Sequence, residues 1–450
     1  MVFGRHQKES TEFFSLKREA AAEPAREDSL LVLGPAALLQ EAQVLEALRL
    51  AAKPLQIVVC DPSKLSPAQL KSASGILAVY PDVQLLENLL DQAIRIRESR
   101  GDGTPYLIIV SSLKSLTALG VWLHQRAVMD RLEGIRLIAS DHLSQVLDQL
   151  EDKLDPILES NVIKMPVNPE VPNPTYKYFY AISPSIRSVV RFMKELAENN
   201  IARIYLLGAP GAGKTSLAYH YYLCRGKGNF VSVNLTAEST GDKAAMKSLL
   251  CGHVSGAMPG VSGSREGALS FAHDGVCFLD ESHGVTSVVM EVLMEVLDSG
   301  QYLPFGAAVK RALECAVIFA SNRSWETLRD LMHLDEHARL GATIIKVKDL
   351  AAREEDMVAV LAATLAKFRS QCTTWTPPEG LTERAWQQVR NCPWRGNVRT
   401  LIRVIETACV SFCVEGNPNS LLLDEKHILE GINLWEPTDH KDANLFVSHR

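Results

Sequence analysis

The sequence predicts an α/β protein made of two parallel-sheet domains in series, the second carrying a small helical lid. Three observations predict this. Apolar strand-like runs alternate with amphipathic helical stretches through the first third of the chain. A second alternation follows and opens on LLGAPGAGKTS, residues 206 to 216, a glycine-rich loop between an apolar run and a helix-compatible one. Further on, the apolar run VCFL ends in the carboxylate pair Asp280 and Glu281.

The 450 residues are enough for two or three domains, each with its own core. A composition 46% hydrophobic and 22% charged is that of an ordinary globular chain. A net charge of −6 gives no overall pull toward nucleic acid or anionic membrane. The nine cysteines form no CxxC pair and no zinc-like cluster, so buried reduced thiols are expected. No apolar run reaches the ~18 residues of a membrane span, and the N-terminus lacks the apolar core of a signal peptide. A cytoplasmic protein without membrane partners is the expectation.

In chain order, residues 1–28 are polar with little periodicity and read as a flexible tail. The runs LLVL (30–33), LQIVV (55–59), GILAVY (75–80), YLIIV (106–110) and IRLIA (135–139) follow, separated by stretches such as QLLENLLDQAIRI. Such alternation implies a doubly wound parallel sheet over residues 29–163. KMPVNPEVPNPT, with Pro166, Pro169, Pro172 and Pro174, reads as a stiff extended connector, so a Pro-rich linker is expected at 164–180. An α/β unit at 181–350, a helical lid at 351–435 and a tail at 436–450 complete the reading.

The first sheet resembles a response-regulator receiver domain in layout only. Receivers carry acidic residues after their first strand, where this chain has Gly34 and Pro35. The phosphoacceptor position is occupied by Tyr80 and Pro81, followed by Asp82, and Ser140-Asp141-His142 replaces the family's Lys-Pro. Asp82 reads as a loop or helix-start residue and not as a phosphorylation site. A degenerate, unphosphorylated receiver-like domain that docks or senses is the expectation.

The loop reads GxxxxGKT through Gly208, Ala209, Pro210, Gly211, Ala212, Gly213, Lys214 and Thr215, with Ser216 next. Glycines free backbone N–H groups to cradle phosphate oxygens, and the following helix N-terminus favours negative charge. Lys214 is placed to reach the β- and γ-phosphates of ATP and the Thr215 hydroxyl to bind Mg²⁺. Asp280 is placed to hold Mg²⁺ through water, and Glu281 to orient the attacking water. The strand AVIFASN ends at Asn322, FVSVN ends at Asn234, and PWRGNVRTLIRVIETA places Arg399 in the first turns of an amphipathic helix.

The phosphate loop, FVSVN, GH-x-x-GA-x-x-G, FLDES, ASN and W-x-GNVR-x-L over about 181–410 together resemble the AAA+ domain of bacterial enhancer-binding proteins, the sigma-54-dependent transcription activators. The resemblance implies ATP hydrolysis at the interfaces of a ring, usually a hexamer, that remodels RNA polymerase bound to its sigma factor. It implies that Asn234 holds the Walker B glutamate, Asn322 acts as sensor 1, Arg399 as sensor 2 and Arg339 as an arginine finger. The chain departs from the family in three places. The family's GAFTGA loop reads Gly256-Ala257-Met258-Pro259-Gly260-Val261 here, and proline removes a hydroxyl and a backbone donor. His333 stands at the other finger position, which points to slow hydrolysis or to a hetero-oligomer with a related ATPase. After Cys413 the sequence carries no second recognition-type helix, so direct DNA reading is not expected. Two functions follow as alternatives: an ATPase that regulates transcription through a protein target, or an ATP-dependent assembly or scaffold protein for a secretion or surface organelle. A non-hydrolysing nucleotide switch is opposed by the intact Asp280 and Glu281.

Overall fold

The N-terminal strands are apolar at nearly every position, and all but the edge strand at residues 56–60 are buried on both faces of their sheet. In the computed structural model, which describes residues 29–35, 39, 42–53, 55–89, 91, 106–127, 135–154, 162–166, 176–238, 243–257, 263–282, 287–331, 342–416 and 420–436, β1 (Ser29–Leu33), β2 (Gln56–Cys60), β3 (Gly75–Val79), β4 (Tyr106–Ser111) and β5 (Ile135–Ala139) form one parallel sheet of order β2-β1-β3-β4-β5. Alternate side chains go to opposite layers: Leu30 and Val32 pack on one face, Leu31 and Leu33 on the other. The crossovers are α1 (Ala42–Ala51), α2 (Pro67–Ser72), α3 (residues 83–89) and α4 (Leu116–Ala127), and α5 (Leu143–Leu150) follows β5. Ser66 and Gln69 form a capping box with Pro67 at the first position, which sets where α2 begins.

The segment expected as a plain connector is partly paired. Its ends form an antiparallel ribbon, β6 (Val162–Pro166) with β7 (Tyr176–Tyr180), in register from Val162 opposite Tyr180 to Pro166 opposite Tyr176. Two extended segments can satisfy their N–H and C=O groups by pairing with each other, which a single extended strand cannot.

The second sheet has order β16-β8-β15-β12-β9, all parallel. Its strands are β8 (Arg203–Leu207), β9 (Phe230–Asn234), β12 (Val276–Asp280), β15 (Ala316–Ser321) and β16 (Thr343–Lys346). Two short hairpins, β10 (Gly252–His253) with β11 (Arg265–Glu266) and β13 (Gln301–Tyr302) with β14 (Arg311–Ala312), sit outside it. The longer helices of this unit are α6 (Pro184–Glu198), α7 (Lys214–Arg225), α8 (Lys243–Cys251), α9 (Ser287–Ser299) and α10 (Trp325–Leu331). The lid comprises α11 (Glu354–Gln371), α12 (Glu383–Asn391), α13 (Asn397–Glu415), α14 (Glu425–Trp435) and the small pair β17 (Gly380–Leu381) and β18 (Leu422–Leu423). Glu436, expected in the tail, is buried and its Oε1 accepts the Arg395 N–H at 2.7 Å, so the lid extends at least that far.

The N-terminal domain and the lid share a continuous core. Leu116, Leu119, Trp122 and Leu123 of α4 belong to the same buried cluster as Met357, Val358, Leu361 and Leu365 of α11. The helices approach so closely that a Cβ on Gly120 would lie 1.9 Å from the Ala362 carbonyl oxygen, which requires glycine at this crossing. All nine cysteines are free, and none of the helices among the described residues is long and apolar enough to cross a membrane.

Candidate nucleotide site

The phosphate loop leaves β8, the second strand of its sheet, and enters α7. Gly211 and Gly213 have φ of +75° and +106°, a region that L side chains avoid. Their environments are equally exacting. A Cβ on Gly213 would sit 2.1 Å from the Phe179 ring, and one on Gly211 would sit 2.3 Å from the Gly396 carbonyl oxygen. The Gly208 N–H donates to the Ser321 carbonyl at 3.2 Å, tying the loop to the end of β15. Ala212 is buried, while Thr215 and Ser216 are half-buried in the first turn of α7. Lys214 is buried and its Nζ donates to the carbonyl oxygens of Gly208 (2.7 Å) and Ala209 (3.1 Å). Burial lowers its pKa, Asp280 and Glu281 oppose that shift, and the Arg399 guanidinium adds to it.

Asp280 ends β12, paired in register with Asn234 at the end of β9. Glu281 follows in a left-handed conformation, φ +52°, with its N–H donating to Asp280 Oδ1 at 2.9 Å. A glutamate held there turns sharply off the strand end, the kind of local strain that concentrates at functional sites. The Asn234 Oδ1 accepts the Thr236 N–H at 3.1 Å, and the Thr236 hydroxyl donates to the Glu281 carbonyl at 3.3 Å. Asn322 lies exposed just beyond β15. The ends of β9, β12, β15 and β8 therefore bring Asn234, Asp280, Glu281, Asn322 and the phosphate loop to one edge.

The lid closes on that edge through α13. The Arg399 Cβ lies 3.3 Å from where a Gly211 Cβ would be. Asn397, fully buried with φ +52°, accepts the Leu350 N–H on Oδ1 at 2.6 Å and donates from Nδ2 to the Pro210 carbonyl at 3.1 Å. It clamps the loop to the lid, a role that the GNVR spacing alone did not single out. Ser282 was also passed over: buried, it shares a 2.6 Å hydrogen bond with the Tyr205 hydroxyl and donates to the Ala320 carbonyl at 2.8 Å, pinning the residue after Glu281 to the sheet. A third unforeseen group is Arg353, whose Nη1 donates to the Ala212 carbonyl at 3.1 Å and whose Nε donates to Asp356 Oδ2 at 2.6 Å. Asp356 is fully buried, and desolvation raises its pKa against the pull of Arg353 and the Ser183 and Ile182 N–H groups. Arg339, His333 and the loop tip Met258 to Val261 lie outside the described residues.

A glycine loop on a parallel sheet of this order, carboxylates on a strand end two places along the sheet and a helical lid bearing an arginine are the architecture of a P-loop domain of AAA+ type. Residues 179–344 match the family described as "Sigma-54 interaction domain". Among curated relatives, the "Alginate biosynthesis transcriptional regulatory protein AlgB" of Pseudomonas aeruginosa is 31% identical over 258 residues, 55% of this chain and 53% of the relative. The "Nif-specific regulatory protein" of Herbaspirillum seropedicae is 30% identical over 205 residues, 45% of this chain and 37% of the relative. The chain thus spans about half the length of these relatives or less. A solved structure of NtrX from Brucella abortus covers 93% of the chain and is itself covered to 89%, at 18% identity and a TM-score of 0.48.

Proposed function

We propose that the chain is an ATPase of the sigma-54 activator type, in which ATP binding and hydrolysis between neighbouring subunits drive remodelling of a protein partner in transcription. One observation carries this reading: Lys214 is buried in a loop of left-handed glycines, on the sheet edge that also holds Asp280 and Glu281, with Arg399 of the lid against the same loop. A buried ammonium flanked by a guanidinium is a poor arrangement in isolation and a good one for a polyphosphate. The donor set also fits Mg²⁺. The Thr215 hydroxyl and the Asp280 carboxylate would hold the ion, which when bound offsets phosphate charge. Backbone N–H groups of Gly211, Ala212 and Gly213 cradle the phosphates and Lys214 reaches the β- and γ-groups. Glu281 orients and polarises the attacking water. Asn234 governs the placement of Glu281, and Asn322 monitors the terminal phosphate. Arg399 senses it from the lid, and Arg339 reaches a neighbouring subunit's site in a ring or in a hetero-oligomer with a related ATPase. The regulatory names of the matched relatives support transcription as the process.

The altered loop tip, Met258-Pro259, favours a second reading: an ATP-dependent assembly or scaffold protein descended from such activators that no longer contacts sigma-54. ATP turnover by the full chain tests the shared core of both readings. Glu281→Gln should lower it by about 10²- to 10⁴-fold, and equal rates for the two proteins would remove the catalytic assignment. Pull-down with sigma-54 and with core polymerase separates the readings. Capture of either supports the first, and capture of a secretion or envelope component alone supports the second.

A further inference from the structure

Arg136 interrupts an otherwise apolar strand, β5, and is 1% exposed. A guanidinium so buried requires a partner, and the partner comes from the other domain. Glu355, 2% exposed in the first turn of α11, accepts from Arg136 Nε on both oxygens at 3.1 Å and from Arg136 Nη2 at 3.0 Å. Its carboxylate also accepts the Leu137 N–H at 3.0 Å and the Lys153 ammonium at 2.6 Å. Each of these donors belongs to the N-terminal domain. Arg136 Nη2 further donates to the Asp152 carbonyl at 3.0 Å, which fixes the guanidinium itself.

The next residue along α11 faces the nucleotide domain. Asp356 accepts the Ile182 N–H (2.6 Å), the Ser183 N–H (3.0 Å) and Arg353 Nε (2.6 Å). Arg353 donates to the Ala212 carbonyl inside the phosphate loop and lies 5.5 Å over the Phe179 ring, the ring that packs against Gly213. Charge-assisted hydrogen bonds thus run from β5 to the phosphate loop, interrupted only by the peptide link between Glu355 and Asp356. The α4–α11 crossing at Gly120 leaves no room for the domains to slide without repacking.

We propose that Arg136, with Lys153, is a positioning residue for the nucleotide site. The docked N-terminal domain holds the first turn of α11, and through Arg353 it holds the Ala212 carbonyl in the geometry that receives ATP. The proposal rests on the ATP-binding reading of that loop. By linkage, whatever factor docking contributes to nucleotide affinity, nucleotide contributes to docking.

The test uses the full chain with Arg136→Met, Arg136→Lys, Lys153→Met and, as a control, Thr117→Val. The control removes the Thr117 hydroxyl's 3.3 Å hydrogen bond to the Pro378 carbonyl at the same interface without touching Glu355. A fluorescent ATP analogue is titrated, and hydrogen exchange of residues 208–216 is followed. Arg136→Met should weaken binding about 5- to 150-fold, the usual span of such coupling. Arg136→Lys should recover part of that loss, and exchange in 208–216 should quicken in step. Thr117→Val should lower the melting temperature and leave both readouts unchanged. Wild-type affinity and exchange in the Arg136 variants would overturn the proposal, as would an equal change in Thr117→Val. If Arg136→Met does not fold, Arg136→Lys and Lys153→Met decide by the same readouts. If the wild type binds no analogue, the ATP reading falls, and exchange of residues 208–216 across the variants still decides whether the domains are coupled.

Discussion

The two parallel sheets of this protein make opposite use of the same edge. In both, loops leave the C-terminal ends of the strands, where open α/β sheets place ligands. In the second sheet those loops gather a glycine loop with two left-handed glycines, the buried Lys214 and the Asp280–Glu281 pair at one edge. In the first sheet the corresponding carboxylates are engaged locally. Asp82 Oδ1 accepts the Leu85 N–H at 2.7 Å and caps α3. Asp141 Oδ1 accepts the Ser112 hydroxyl at 2.5 Å and the Leu113 N–H at 3.0 Å. A cleft of about 340 Å³ remains beside them, lined by Pro81, Asp82, Ser111, Ser112 and Leu119 among others. Architecture alone therefore assigns no chemistry, and the loops decide it. The first domain's most elaborate polar contact, at Arg136, points into the lid and away from that edge.

The contrast can be broken most directly by exchanging carboxylates for amides on both edges. Glu281→Gln should reduce ATP turnover by about 10²- to 10⁴-fold in a phosphate-release assay. Asp82→Asn and Asp141→Asn should leave turnover within about twofold of wild type, and a comparable loss in either would put chemistry on the first edge. Next in size, Asn397→Ala strands the buried Leu350 N–H and frees the Pro210 carbonyl, so urea denaturation should show a loss of about 2 kcal/mol. Weaker nucleotide binding should accompany it. A third effect is pH-dependent and confined to the second domain. Burial between α6 and α7, reinforced by the Lys194 ammonium, pushes the His220 pKa down from 6.5 to about 4. The unfolded chain binds a proton there that the folded chain refuses. Stability is therefore complete above about 6.5 and is lost as pH falls toward about 4. His220→Asn should flatten that acid limb in denaturation curves. The smallest effect is Asp82→Ala, which removes the α3 cap at a cost of about 1 kcal/mol by denaturation and leaves turnover unchanged.

Much of this was legible in the chain because it is local. The five apolar runs of the first domain became strands within a residue or so of their expected ends, since continuous apolar character already implies burial on both faces. The phosphate loop was legible because strand, glycines, lysine and helix are contiguous. Other features depend on chain segments far apart in sequence. The pairing of β6 with β7 was not expected, because prolines conceal the strand signal in that stretch. Arg353 and Phe179 carry no motif of their own, and their relation to the loop exists only once the lid is folded onto it. Arg136 did leave a signal, a single charge inside the run IRLIA, but nothing in the run says where its partner lies.

By itself the sequence determined the class of each domain and the place of the glycine loop between its strand and helix, because periodicity and motif spacing are short-range properties of the chain. The tertiary structure decided the left-handed turn at Glu281, the Asn397 clamp between loop and lid, and the docking of the first domain onto α11 through Arg136 and Glu355. The reason is physical. A buried charge or a close backbone crossing is tolerated only with its partner in place, and here those partners are supplied by distant segments that meet only in the folded chain.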